Sequence, residues 1–241
     1  MQPNLYLQQH VYACGIPDVI LLDLRKNRYL AIPERQSRLL AALVPGWPHA
    51  PSEGDDQIDP TSAFAIKAID DLIAREILTT TPSRGKNAAP ATIATPARSL
   101  IPAPQLIPTP SASTTQRARR LPALVRAALT AAFQLKFRRI ETVVAAVAAR
   151  RSRAHRDAPL DTASLMEDFY WLRPFVFSGS QQCLFHSLTL LHFLAAFNVY
   201  PHWVFGVRKA PFGAHCWVQE DSTICNDTAD RVAMFTPIMI V

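Results

Sequence analysis

The chain has 241 residues, 49% hydrophobic and 18% charged, which suits one large domain or two small ones and excludes a disordered protein. No apolar run approaches the roughly 18 residues of a spanning helix before Arg, Gln or Pro interrupts it. Met1-Gln2-Pro3-Asn4-Leu5 lacks the basic start and apolar stretch of a secretory signal, so a cytoplasmic protein is expected. The net charge of +6 is unevenly spread: residues 1–78 carry −3, 79–116 carry +3, 117–156 carry +10 and 157–241 carry −4. Basicity thus belongs to one segment, and the chain is not expected to bind nucleic acid over its general surface.

The first predicted elements are strands. Leu5–Ala13, Val19–Leu24 and Arg28–Ile32 are separated by Gly15 with Pro17 and by Lys26-Asn27, as turns between short strands require. Pro33 opens a helix carrying Leu39, Leu40, Leu43 and Val44 until Pro45-Gly46 stops it. A second helix starts at Asp59-Pro60-Thr61 and places Ala65, Ile66, Ile69, Leu72, Ile73 and Ile77 at spacings of three and four. Residues 1–78 therefore form a small α+β unit.

Residues 79–116 hold seven Pro, seven Ala and eight Thr with no acidic or aromatic residue. Such a composition cannot bury enough apolar area to offset chain entropy, so a partly extended linker is expected. Residues 117–156 place Leu121, Leu124, Val125, Ala128, Leu129, Ala132 and Phe133 on one helical face, with Arg and Lys on the other. This reads as a packing helix with a solvated basic side in preference to a membrane or nucleic-acid surface. A helix follows over Asp161–Leu172, then a loop through Pro174, Ser178 and Gly179. The most helical stretch runs from Cys183 to Phe197, and short strands follow at His202–Val207, Ala214–Gln219 and Thr223–Asp227.

Cys14, Cys183, Cys216 and Cys225 make no CxxC pair, and reduced thiols are expected. Cys183 opens a helix, where unpaired amides and the positive end of the helix dipole favour a thiolate. If the hairpin at Glu220-Asp221-Ser222 turns about Asp221, His215 and Asp227 face each other. An imidazole held by a carboxylate, with its other nitrogen free for a thiol, is what a nucleophilic cysteine needs. Gln181 or Gln182 would join the Cys183 amide as an oxyanion donor. Strand alternation puts His215, Trp217 and Gln219 on one face and turns Cys216 into the core with Ala214 and Val218. Cys225 is read as structural, although it shares the face of Asp227. A zinc site from His215, Cys216 and Cys225 is the rival, but adjacent strand residues diverge and the spacing is wrong. His186 and His192 on the Cys183 helix lack an orienting carboxylate and are read as packing residues. No metal or cofactor is called for.

The order Cys, His, Asp on helix, strand and strand resembles papain-like and transglutaminase-like folds. More specifically, Cys183-Leu184 with Ser187-Leu188-Thr189-Leu190-Leu191, Val204-Phe205-Gly206-Val207-Arg208, Pro211 to Gln219 and Asn226-Asp227 resemble the B proteins of lasso-peptide biosynthesis, leader peptidases with a transglutaminase-like domain. The likeness covers about residues 117–241. The family's fused form begins with a PqqD-like winged peptide-recognition domain, which residues 1–78 resemble in their order of strands and helices. Cys216, Gln219 and Asn198 depart from the family's pattern, and none of them is a member of the Cys183, His215, Asp227 set.

This resemblance implies an α+β protein with a winged PqqD-type domain at 1–78, a linker at 79–116 and a cysteine protease domain at 117–241. The leader of a ribosomally made precursor would dock as an added strand on Arg28, Tyr29, Leu30 and Ala31 and against Leu72 of the last helix. Cleavage between leader and core would follow, and the core would pass to an asparagine-synthetase-like, ATP-dependent cyclase. A flexible linker of 38 residues would span about 30–35 Å and keep a bound precursor near the site. The competing classes are a non-catalytic binding protein for DNA or membrane, and an acyl transferase using the same triad.

Overall fold

Alternating apolar side chains from Leu5 to Ile32 fold as strands, with one break more than their pattern indicates. In the computed structural model, which describes residues 4–16, 18–48, 59, 61–101, 114–153, 161–177 and 183–241, β1 (Tyr6–Gln8) and β2 (Val11–Ile16) are separated by a turn at Gln9-His10. Next come β3 (Asp18–Asp23) and β4 (Arg28–Ile32), and β2-β3-β4 form an antiparallel meander with Ala13 opposite Leu21 and Leu21 opposite Leu30. Asn27 makes the β3–β4 turn possible by taking φ 48°, a left-handed conformation that Asn tolerates. Two helices follow, α1 (Glu34–Leu43) behind Pro33 and α2 (Ala63–Ala74), whose cap residue Ser62 accepts a hydrogen bond from the Ala65 amide. The helix ends before Ile77 because Glu76 turns to φ 60°. The chain divides into two compact units, Met1–Thr92 with Thr236–Met239 and Ile93–Phe235 with Ile240–Val241. The core of the first contains Leu7, Val11, Leu21, Leu40, Leu72 and Ile77.

The expected linker is folded where it is described. After α2, β5 (Leu78–Thr79) and β6 (Gly85–Lys86) pair with the two edges of β1, giving a second sheet in the order β5-β1-β6. Gly85 lies so close beneath Tyr6 that an added Cβ would sit 2.3 Å from the Tyr6 Cβ. The Lys86 ammonium donates to the Gln9 carbonyl oxygen at 2.8 Å and lies over the Tyr12 ring. Further on, β7 (Arg98–Ser99) joins a strand of the second unit in parallel. Composition misreads this stretch because strand addition draws on main-chain groups, which every residue but proline possesses. Residues 102–113 lie outside the described part.

The second unit continues with four long helices, α3 (Thr114–Phe137), α4 (Ile140–Ser152), α5 (Thr162–Val176) and α6 (Cys183–Ala195). Then come β8 (His202–Arg208), β9 (Gly213–Glu220), β10 (Thr223–Ile224) and the short α7 (Ala229–Val232), with β8, β9, β10 and β7 neighbours in that order in one sheet, while β11 (Thr236–Ile240) follows in the chain and falls mostly in the first unit. Asp161 caps α5 by accepting from the amides of Ala163 and Ser164. Asn198 ends the turn after α6 at φ 60°, supplying the left-handed residue that glycine commonly provides. No described helix is long and apolar enough to cross a membrane.

The inner face of α3 matches the expected one at Leu124 and Ala128 and is turned away from it at Val125, Leu129 and Phe133. Leu124, Ala127, Ala128 and Ala131 are buried, whereas Val125, Leu129, Phe133 and Phe137 are exposed, Leu129 to 66%. Alanines let α3 approach α5 and α6 closely, and that choice leaves the bulkier stripe outside. The basic side is likewise less solvated than charge counting suggests. Arg117 and Arg120 are buried against Asp168 of α5, Arg150 meets His192 Nδ1 at 2.8 Å, and Arg151 reaches the Tyr200 carbonyl oxygen and His202. Removing one partner of a buried ion pair strands the others without water, at about 3–5 kcal/mol. Asp168→Ala should therefore lower unfolding stability by about that amount in denaturant titrations, and a loss below about 1 kcal/mol would show that the two guanidiniums are not held by this carboxylate.

Candidate active site

Three elements meet at the site. Cys183 is the first residue of α6, His215 lies on β9, and Asp227 sits in the bend between β10 and α7. The structure brings His215 and Asp227 into contact, His215 Nε2 lying 2.5 Å from Asp227 Oδ2 with both side chains largely buried, and Cys183 acts electrostatically on the same ring. Asp227 is further fixed by the Thr228 amide at 2.8 Å and lies 3.7 Å from the Arg231 guanidinium.

The reason for the His215–Asp227 contact differs from the expected one. The β9–β10 hairpin turns on two residues, Asp221 and Ser222, with Asp221 at φ 50°. Thr223 therefore faces Glu220 and Ile224 faces Gln219, one residue out of the register that would set His215 opposite Asp227. The ladder closes with the Cys225 amide donating to the Val218 carbonyl oxygen at 2.9 Å. Beyond it Asn226 takes over, its Oδ1 accepting from the Val218 amide at 2.7 Å. The bend after that contact carries Asp227 to the imidazole.

The electrostatics follow from these contacts. Hydrogen bonds from the Cys216 thiol, the His215 ring and the Cys216 amide, together with the imidazolium charge, outweigh burial and bring the Cys183 thiol down to about 4. Burial pulls the His215 pKa down, but bonds to Asp227 and Cys183 and the charges of both raise it to about 9. Asp227 is held below the usual carboxylate range, against its burial, by His215, the Thr228 amide and Arg231. Between the two values Cys183 and His215 stand as thiolate and imidazolium, the state a cysteine nucleophile requires.

Aromatic packing fixes the ring. His215 stacks on Trp217 with centroids 6.1 Å apart and lies 5.1 Å from Phe235. Trp217 in turn donates from Nε1 to Gln219 Oε1 at 2.9 Å, and Gln219 Nε2 donates to the carbonyl oxygens of Ala94 and Asp221. Gly206, opposite His215 on β8, leaves room for this stack, since a Cβ there would come within 2.7 Å of Trp217 and 3.0 Å of Phe235. Gly206 escaped notice as a functional residue, although a glycine inside an apolar strand is itself a signal of close approach.

The remaining candidates fall elsewhere. Gln181 and Gln182 lie outside the described residues. Cys225 is buried, and burial pushes its thiol up to about 12; its carbonyl oxygen accepts from the Tyr170 hydroxyl. His192 bridges Arg150 and Gln134 and is pulled down to about 4 by burial and by Arg150. His186 packs on the Phe177 ring. Among the described residues no cluster of His, Cys, Asp or Glu is arranged to hold a metal ion. Cys216 is buried, as alternation predicts, and its thiol lies 3.7 Å from the Ser187 hydroxyl oxygen. In the first unit, Arg28, Tyr29 and Leu30 are half-buried and Ala31 exposed on β4, an edge strand among the described residues. Leu72, expected to touch a docked peptide, is instead 4% exposed within the core. The large apolar residues of α2 that do face outward are Phe64, Ile66 and Ile73.

A family model described as the transglutaminase-like superfamily matches residues 123–240. The C-terminal part of the chain is therefore a transglutaminase-like superfamily domain within a mixed α+β protein. No curated protein and no solved structure matches the chain.

Two outcomes test the geometry. The rate of Cys183 carbamidomethylation by iodoacetamide should rise with a midpoint near pH 4, because the thiolate is present above that value. In His215→Ala the midpoint should move up toward the ordinary thiol range of about 8–9, and an unmoved midpoint would exclude the ion pair. Gly206→Ala should push Trp217 or Phe235 against the ring and slow alkylation at neutral pH at least several-fold while the chain still folds.

Proposed function

We propose that the protein is a cysteine peptidase that binds the leader of a ribosomally made precursor through residues 1–78 and cuts leader from core with Cys183. The observation that carries this reading is the buried His215–Asp227 contact, with Cys183 at the start of α6 and shifts of its thiol and of the imidazole that favour a thiolate–imidazolium pair. A transglutaminase-like domain is consistent with cysteine peptidase or acyl-transfer chemistry, and both begin with the same step.

Cys183 attacks the scissile carbonyl carbon, and the developing oxyanion lies near the amides at the start of α6. His215 gives its proton to the leaving amine, so the C–N bond breaks and a thioester remains. Neutral His215 then takes a proton from water, whose oxygen attacks the thioester, and the thiolate returns as the acid is released. Asp227 stabilises the imidazolium and fixes the ring without itself becoming protonated.

For recognition, β4, an edge strand among the described residues, offers main-chain groups to an extended leader along Arg28, Tyr29, Leu30 and Ala31. Ile66 and Ile73 of α2 replace Leu72 as the helix residues open to a peptide. Such contacts are largely insensitive to ionic strength, unlike nucleic-acid binding through the basic helices. The freed core would go to an ATP-dependent, asparagine-synthetase-like cyclase, and the reaction would take place in the cytoplasm.

Cleavage should follow a bell-shaped pH profile, rising through about pH 4 as Cys183 ionises and falling through about pH 9 as His215 loses its proton. Cys183→Ala should bind a fluorescent leader peptide with unchanged affinity and release no product, and continued processing would reject the nucleophile. Cleavage in H₂¹⁸O should label the leader's new carboxylate. Transfer to an added amine without label would favour an acyl transferase.

A further inference from the structure

One cation beside the imidazole has no counter-charge. Cys183 and His215 stand as a thiolate and an imidazolium, and Arg231 lies 3.7 Å from Asp227, so the charges of these groups cancel. Arg208 is left over. It ends β8 opposite Gly213 of β9, two residues from Gly206, which is opposite His215. Residues two apart on a strand share a face, so Arg208 and His215 project from the same side of the sheet. The Arg208 side chain turns back along that side, with Nε 3.0 Å from where a Cβ on Gly213 would sit and the guanidinium carbon 5.3 Å from the centre of the Phe235 ring. The same ring lies 5.1 Å from His215. Arg208 Nε is buried without an acceptor, and among the described residues no oxygen pairs with the guanidinium. Residues 178–182, which lead into Cys183, include no acid.

We propose that Arg208 is a specificity residue that holds a carboxylate of the substrate, the side chain of an Asp or Glu on the leaving side of the scissile bond. The side is set by the chemistry. His215 must reach the leaving amine to protonate it, so the departing segment runs past this ring, and Phe235 and Arg208 come next on the same side of the sheet. A guanidinium fork meets a carboxylate with two parallel charge-assisted hydrogen bonds, each about twice as strong as a neutral one. The fork is already in place. Phe235 steadies the cation over its ring, Gly213 gives the side chain its room, and the pairing of β8 with β9 fixes both. A bound carboxylate gives the buried Nε the acceptor it lacks. Lys209, the next residue, is exposed and beyond the end of the strand, so it shares the charge of Arg208 but not its place.

The proposal rests on the peptidase reading but on no particular precursor, so the test uses a proteome-derived peptide library, incubated with a high concentration of the full chain. Mass spectrometry of the new amino termini reads the residues that follow each cut. In the parent, Asp or Glu should be enriched about tenfold over Asn or Gln at one of these positions, the factor a charged hydrogen bond supplies. Arg208→Gln should abolish the enrichment, Lys209→Gln should keep it, and Arg208→Glu should reverse it in favour of Lys or Arg. Alkylation of Cys183 by iodoacetamide should keep the parent rate in Arg208→Gln, because the variant loses a substrate contact and leaves the nucleophile as it was. Cuts that show no acid preference, or the same preference after Arg208→Gln, would overturn the proposal and leave the peptidase reading standing. An equal loss in Lys209→Gln would mark a diffuse field, and alkylation slowed in step with cleavage in Arg208→Gln would mark a mere support for the ring; either result overturns it too. A parent whose Cys183 is alkylated but which cuts no peptide removes the peptidase reading, and this proposal with it.

Discussion

The second unit is organised around a proton held between a sulfur and a carboxylate by a buried ring. A thiolate in a partly buried place is costly unless a positive charge and donors accompany it. Here the charge is the imidazolium of His215, and its own burial is offset by Asp227 at 2.5 Å. Each member is tolerable only because of the next. The surrounding structure answers that requirement: α6 begins where the sulfur is needed, β9 brings the ring and the second thiol, and the bend after β10 brings the carboxylate. Gly206, Trp217 and Phe235 then deny the ring any other place to lie.

Much of this was legible from the residues. Cys183 at a helix start and His215 and Asp227 on neighbouring segments were readable because capping position and strand order are local properties. The pairing rule that joined His215 to Asp227 had the wrong register, since it assumed a turn centred on Asp221. The contact survives because Asn226 bends the chain after the ladder ends. Cys216 follows alternation, buried with its thiol against the Ser187 hydroxyl.

The larger misreadings share one physical cause. Composition and periodicity register side chains, while the structure also spends main-chain groups and small residues. Thr79, Gly85 and Ala88 looked like linker, yet β5 and β6 gain their place through backbone pairing on β1. In α3 the periodic stripe of large apolar residues predicts the inner face only at Leu124; three alanines, Ala127, Ala128 and Ala131, complete it, and Val125, Leu129 and Phe133 stay outside. Arg117 and Arg120 counted as surface charge until Asp168, fifty residues away, proved to be their partner. Long-range ion pairing of this kind leaves no local trace.

The alanine seam of α3 also sets a tolerance for the whole catalytic helix. Where Ala127, Ala128 and Ala131 are buried, there is little slack, and overpacked interiors relieve themselves by shifting backbone. A wedge of a few methylene groups there would lift α3 from its neighbours, and α6 is one of them. Since Cys183 is the first residue of α6, a change made far from the chemistry would be felt as a misaimed sulfur.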